Sequence, residues 1–188
     1  MFQIVDESLL KDLLRDGPSS GINRRIALHA MLACEAGASV ILFTCSSTSP
    51  SVDFARQMVD VPILKVDDAM ARHAVQLGKR IGLICTTKST ATPSSDLLRY
   101  HSAKLGKHIE IEVALRSEAL AARLAGEHER HDAILMKAAV ELARHCDILV
   151  LAQASLASLA PDLEKLTQRP VLASPNLCVD SLAEWLRD

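Results

Sequence analysis

A chain of 188 residues is long enough to bury roughly 70% of its unfolded surface, so a core is expected without disulfide or metal staples. Its net charge of −2 and aromatic content of 3% leave neither a basic footprint nor base-stacking platforms, which excludes a nucleic-acid partner. No run reaches the roughly 18 apolar residues of a membrane span, so no membrane partner is expected either. Five cysteines form an odd set without CxxC or Cys/His ligand spacing, which argues against a disulfide framework and a structural zinc. The opening MFQIVDESLL has no basic n-region or long apolar run, and the expected location is a reducing cytoplasm.

In chain order, Phe2 to Val5 reads as a short strand, and SLLKDLLRD after it presents Leu9, Leu10, Leu13 and Leu14 on one helical face. GPSSG at 17 to 21 breaks that helix, and residues 22 to 36 make a second one that Gly37 ends. Val40 to Thr44 is an apolar, β-branched run, the mark of a buried parallel strand. Cys45, Ser46 and Ser47 follow as its loop, and Ser49 with Pro50 predicts an N-cap and N1 proline for a helix over 51 to 59. Val61 to Val66 is a further strand, and a helix from Ala69 to Leu77 closes at Gly78. Strand Ile81 to Cys85 leads into a Thr/Ser loop and a helix starting near Pro93 or Ser94. Then come strand Ile109 to Leu115, helices near 117 to 124 and 131 to 145, strand Val171 to Ala173 and a last helix holding Trp185. Strands alternate with helices throughout, which predicts an α/β protein with parallel sheets covered on both faces.

The chain also contains one unit twice. ASVILFTCSSTSPSVDFARQMVDVPIL from Ala38 lies over CDILVLAQASLASLAPDLEKLTQRPVL from Cys146 without a gap, at a constant offset of 108 residues. Ser47 falls on Ser155, Pro62 on Pro170, and Cys45 on Gln153. The second copy is preceded by a strand and helix, residues 79 to 105, that the first copy lacks, since Phe2 to Val5 already corresponds to the strand at 109 to 115. The first half is therefore expected to be short of one strand and one helix, through a misplaced start or genuine loss, and to expose a sheet position.

In open α/β sheets ligands sit outside the carboxyl ends of the strands. Here those ends offer Asp6, Glu7 and Ser8; Thr44 to Thr48; Cys85 to Thr90; and Gln153 to Ser155. The set is rich in hydroxyls and lacks a GxGxxG or P-loop, which points to carboxylate recognition and to no nucleotide cofactor. Cys45 is the leading candidate for chemistry, because a thiol near a helix start can be drawn toward neutrality and exchange a proton with a carbon acid. Cys85, at another strand end, is the runner-up, while Cys34, Cys146 and Cys178 read as core residues. Thr86, Ser89 and Thr90 read as ligand-side hydroxyls, and Asp6 and Glu7 as helix caps in preference to acids or bases. None of the seven histidines shows ligand spacing, and no metal is expected.

On VILFTCSS, IGLICTTKST and the repeated VLAQAS, the chain resembles the aspartate/glutamate/hydantoin racemase superfamily. The resemblance implies two pseudo-symmetric Rossmann-like lobes with parallel sheets, the first lobe lacking its opening strand and helix. It also implies catalysis without cofactors by one cysteine from each lobe, one thiolate removing the α-proton and the other thiol returning one. The lobes would be 1 to 68 plus 171 to 188, and 69 to 170. Cys45 takes the first-lobe position, with Ser46 and Ser47 as carboxylate-binding neighbours, and Thr86 and Ser89 match the Thr-rich loop of the second lobe. The second cysteine would fall at 153, where Gln153, near Ser155, can hold a carboxylate but has no acid or base form near neutral pH.

The expected activity is therefore a cofactor-independent racemase or isomerase acting next to the carboxylate of a small amino acid or related acid, with Cys45 as acid/base. Two alternatives stand beside it: an impaired or truncated relative that binds a small carboxylate, and a one-base decarboxylase or isomerase, as in the arylmalonate decarboxylase branch. A homodimer is expected, since relatives often pair and an open sheet position invites it.

Overall fold

The computed structural model describes residues 1–187. Two compact units divide the chain, the first ending at Val66 and the second beginning at Asp67. In the first, α1 (Glu7–Asp16) and α2 (Ser20–Glu35) precede β1 (Ile41–Phe43), α3 (Pro50–Ala55) and β2 (Ile63–Lys65). Asp6 caps α1, its carboxylate accepting the Ser8 N–H at 3.1 Å, and Ser19 caps α2 by accepting from Ile22. Gly17 ends α1 with φ near +78°, a conformation that Gly adopts without a Cβ clash. Leu9, Leu13, Ile22, Ile26, Ala30, Val52 and Ile63 form the core of this unit. Its sheet has two parallel strands, with Ile41 opposite Ile63 and Phe43 opposite Lys65.

The second unit contains α4 (Asp68–Leu77), β3 (Arg80–Cys85), α5 (Lys88–Lys104), β4 (Glu110–Leu115), α6 (Ser117–Leu124) and α7 (His128–Ala143). It continues with β5 (Ile148–Leu151), a 3-10 turn (Ala154–Leu159), α8 (Ala160–Thr167), β6 (Val171–Ala173) and α9 (Ser174–Trp185). Four parallel strands run in the order β4-β3-β5-β6. One sheet face packs Leu149 and Leu151 against Leu135, Ala139 and Leu142 of α7 and Leu163 of α8. The other packs Ile81, Leu83 and Val150 against Met70 and Ala74 of α4 and Leu98 of α5. Gly82 is required where β3 passes under α7, since a Cβ there would lie 2.7 Å from Leu149 Cδ2 and 3.1 Å from Leu142 Cβ.

The α/β class with parallel sheets is therefore the observed one. The β5–β6 pairing repeats the β1–β2 pairing at the offset of the sequence repeat: Ile41 faces Ile63 and Leu149 faces Val171. Ile41 N–H donates to Pro62 and Leu149 N–H to Pro170, each at 2.9 Å.

Four expectations change. Residues 2 to 5 form no strand and are exposed. Their counterpart β4 bonds only to β3, and the first unit has no strand corresponding to β3, so Phe2–Val5 lacks a pairing partner. Residues 171 to 187 belong to the second unit, where β6 is hydrogen-bonded to β5 and Leu172 and Leu177 join the core. Helix α3 spans six residues, and Ser49 precedes its N1 proline without its side chain accepting a capping hydrogen bond. Helix α5 starts at Lys88, five residues ahead of Pro93, which lies inside it. A proline this close to a helix start forfeits only one ladder bond, so it marks an early turn and not the boundary.

Candidate functional site

At the carboxyl end of β1 the chain turns through Thr44 to Ser49 before α3. Thr44 is exposed and Cys45 half-buried, while Ser46, Thr48 and Ser49 are buried and Ser47 lies between. Ser49 N–H donates to Ser46 C=O at 3.3 Å and Ser51 N–H to Thr48 C=O at 3.1 Å, so the loop is a tight series of turns. Cys45 is thus reachable, on a short loop held by its own backbone.

The carboxyl ends of β3 and β5 are tied by Gln153. Its Oε1 accepts the Thr86 N–H at 2.7 Å and the Thr86 hydroxyl at 2.9 Å, and Ala152 N–H donates to Ile84 C=O at 3.0 Å beside it. A backbone N–H can only donate, so Oε1 is the atom facing Thr86, and the two Nε2–H donors point elsewhere. Next along the loop, the hydroxyls of Thr87 and Thr90 lie 2.8 Å apart and Ser89 donates to Thr87 at 3.2 Å. Thr86 and Thr90 are buried, Ser89 and Gln153 half-buried and Ser155 exposed. Ser155 lies in the 3-10 turn that begins directly after Gln153.

Cys85 is fully buried, and burial pushes its thiol up to about 11, with only a partial pull downward from the Arg116 guanidinium. It fills the core. Burial likewise raises Cys178, assisted by Asp67 and Asp68. Cys45 and Cys34 are the two half-exposed thiols. With limiting iodoacetamide on the native protein, alkylation is expected at Cys45 and Cys34 well before Cys85, Cys146 and Cys178; peptide mass spectrometry measures the order. Modification of Cys85 first would reverse the assignment.

Asp6 serves as a cap and ion-pair centre: besides Ser8, it receives Arg25 at 2.7 Å and His29 at 2.9 Å. The Ser8 hydrogen bond, then His29 and Arg25, hold its carboxyl far below the usual range. Glu7 is exposed and only 3.7 Å from Lys11. Two open surface depressions lie beside Pro161 and Arg169 and beside Cys34 and Met58, and neither is lined by a candidate residue.

Parallel strands covered by helices on both faces of the larger sheet define the class as an α/β fold. The family model for Asp/Glu/hydantoin racemase matches residues 10–182, and the chain belongs to that family. Among solved structures, a putative Asp/Glu racemase from Yersinia pestis superimposes with a TM-score of 0.76 at 18% identity, over 98% of this chain and 82% of that one. Allantoin racemase from Klebsiella pneumoniae gives 0.68 at 16% identity, over 88% of this chain and 66% of its own. Arylmalonate decarboxylase gives 0.59 at 17% identity, over 89% and 78%. No curated protein matches the chain. Among the described residues no helix is long and apolar enough to cross a membrane.

Proposed function

We propose that this protein is a cofactor-independent racemase or isomerase-type enzyme acting at the carbon α to the carboxylate of a small amino acid or related acid. The observation that carries the reading is Cys45: a reachable thiol at a strand's carboxyl end, within a run of hydroxyl residues, in a chain of the racemase family. In this mechanism the Cys45 thiolate takes the α-proton, the electron pair moves into the carboxylate to give a planar enediolate, and a proton returns to the same carbon. Thr44, Ser46, Ser47, Thr86, Ser89, Thr90 and Ser155 are proposed to supply hydroxyls and backbone N–H groups to the substrate carboxylate. Gln153 is proposed to donate through Nε2, which its bonds to Thr86 leave directed away from that residue. A homodimer in the cytoplasm accompanies this proposal.

Gln153 supports a second reading. On the repeat it stands where Cys45 stands in the first copy, and an amide cannot return a proton. A single thiol serves a one-base reaction, in which Cys45 removes and returns the proton on one face, or protonates the enediolate left when CO2 departs.

The test is α-hydrogen exchange in D2O across a panel of amino, hydroxy and arylmalonic acids, followed by NMR and chiral chromatography. Exchange that falls by roughly 10²–10⁴ in Cys45→Ser is the expected result. Exchange with inversion marks the two-sided reaction, and exchange with retention the one-base form. A wild-type protein that binds an acid of the panel without exchanging or decarboxylating it would leave a binding protein in place of an enzyme.

A further inference from the structure

Outside the candidate site, one cluster in the second unit brings three kinds of metal-binding donor together. Glu112 on β4, and His145 and Cys146 in the turn leaving α7, place a carboxylate oxygen, an imidazole nitrogen and a sulfur all within 4.8 Å of one another. Glu112 Oε2 and His145 Nε2 are 2.5 Å apart. The turn is fixed by its backbone: His145 N–H donates to Leu142 C=O at 3.1 Å and Cys146 N–H to the same oxygen at 2.8 Å. Cys146 is anchored in the core beside Leu142 and Leu149, while the side chains of Glu112 and His145 are about half exposed. The cluster is therefore rigid on its sulfur side and open to solvent on the other.

The surroundings leave it available to a cation. Of the two nearby guanidinium groups, Arg80 pairs with Asp147 at 2.9 Å, and Arg169 donates to the Ala143 carbonyl at 3.2 Å.

We propose that Glu112, His145 and Cys146 form a three-donor site for one borderline-soft divalent cation of the zinc class, with the fourth position left to water or an external ligand. Thiolate and imidazole favour zinc, cobalt, nickel or copper over magnesium and calcium. Bonds of about 2.0 Å to nitrogen and oxygen and 2.3 Å to sulfur require the carboxylate and imidazole to part by under about 1 Å, within reach of two exposed side chains. On binding, Cys146 gives up its thiol proton, and the proton bridging Glu112 Oε2 and His145 Nε2 leaves that nitrogen, whose lone pair then reaches the cation, so protons are released as the cation is taken up. Two anionic donors then neutralise the ion. Cys146 precedes β5 and Gln153 follows it, so the site lies at the other end of that strand from the candidate chemistry. Its effect is to clamp the edge strand β4 to the α7–β5 turn, across β3.

Titration of the reduced full-length protein with Co2+ tests this. A thiolate-to-cobalt charge-transfer band saturating at one equivalent is expected, together with proton release and a rise in Tm with added Zn2+. Substitution His145→Ala, at a half-exposed position, should remove both the band and the Tm shift. The band should persist in Cys45→Ser and Cys34→Ser. Absence of a band at one equivalent, or a band that survives His145→Ala, overturns the proposal. Should Cys146→Ala fold poorly, Glu112→Gln and His145→Ala still decide the matter.

Discussion

Gln153→Glu is expected to fold normally and yet to raise KM for an acidic substrate by about tenfold or more, whereas Gln153→Leu loses stability as well. The Thr86 N–H and hydroxyl both donate to Gln153 Oε1, and a glutamate oxygen at the same place accepts them equally well. What glutamate removes is the pair of Nε2–H donors, and what it adds is a like charge facing a carboxylate, worth about 1.4 kcal/mol for each tenfold change. Leucine instead leaves the buried Thr86 donors without an acceptor, at about 1–3 kcal/mol. Measuring KM, kcat and the urea midpoint for both variants separates the roles. A Gln153→Glu protein with unaltered KM would reduce Gln153 to a brace between β3 and β5.

Leu149→Ala is expected to cost about 2–5 kcal/mol, the largest stability effect of any single change considered, because Leu149 is fully buried between β3 and α7. Gly82→Ala is expected to cost about 1–3 kcal/mol through overpacking, since its Cβ would meet Leu149 Cδ2 at 2.7 Å. The two are coupled through one volume. Removing the leucine branch opens the space that the new methyl needs, so the double variant should be more stable than the sum of the single effects predicts. Urea unfolding followed by circular dichroism measures all three. Strict additivity would show that Leu142, not Leu149, sets the tolerance at Gly82.

The alternation of strands and helices was readable because each strand is a short β-branched run bounded by a turn residue, as in IGLIC before Thr86 and ILVLA before Gln153. The Asp6 cap was legible for the same local reason. Phe2–Val5 was not: its composition suits a strand, but pairing needs a neighbour, and that depends on chain elsewhere. Pro93 misled because a proline inside a helix deletes only a single ladder bond, which the remaining turns of α5 outweigh. The placement of Cys45 and Thr86 directly after strands was legible from the sequence, and that of Gln153 from the repeat. Its bond to Thr86, 67 residues away, was not. Nor was the approach of Glu112 to His145, because spacing rules see ligands only along one segment.

Two three-residue strands give the first unit few rungs to hold it shut, while four strands covered on both faces brace the second. Local opening should therefore cost less around Cys45 than around Gln153, and a protease would nick the thiol-bearing half first. A ligand that orders that half must spend part of its affinity doing so, which makes the softer unit the place where occupancy is felt as slowed amide exchange.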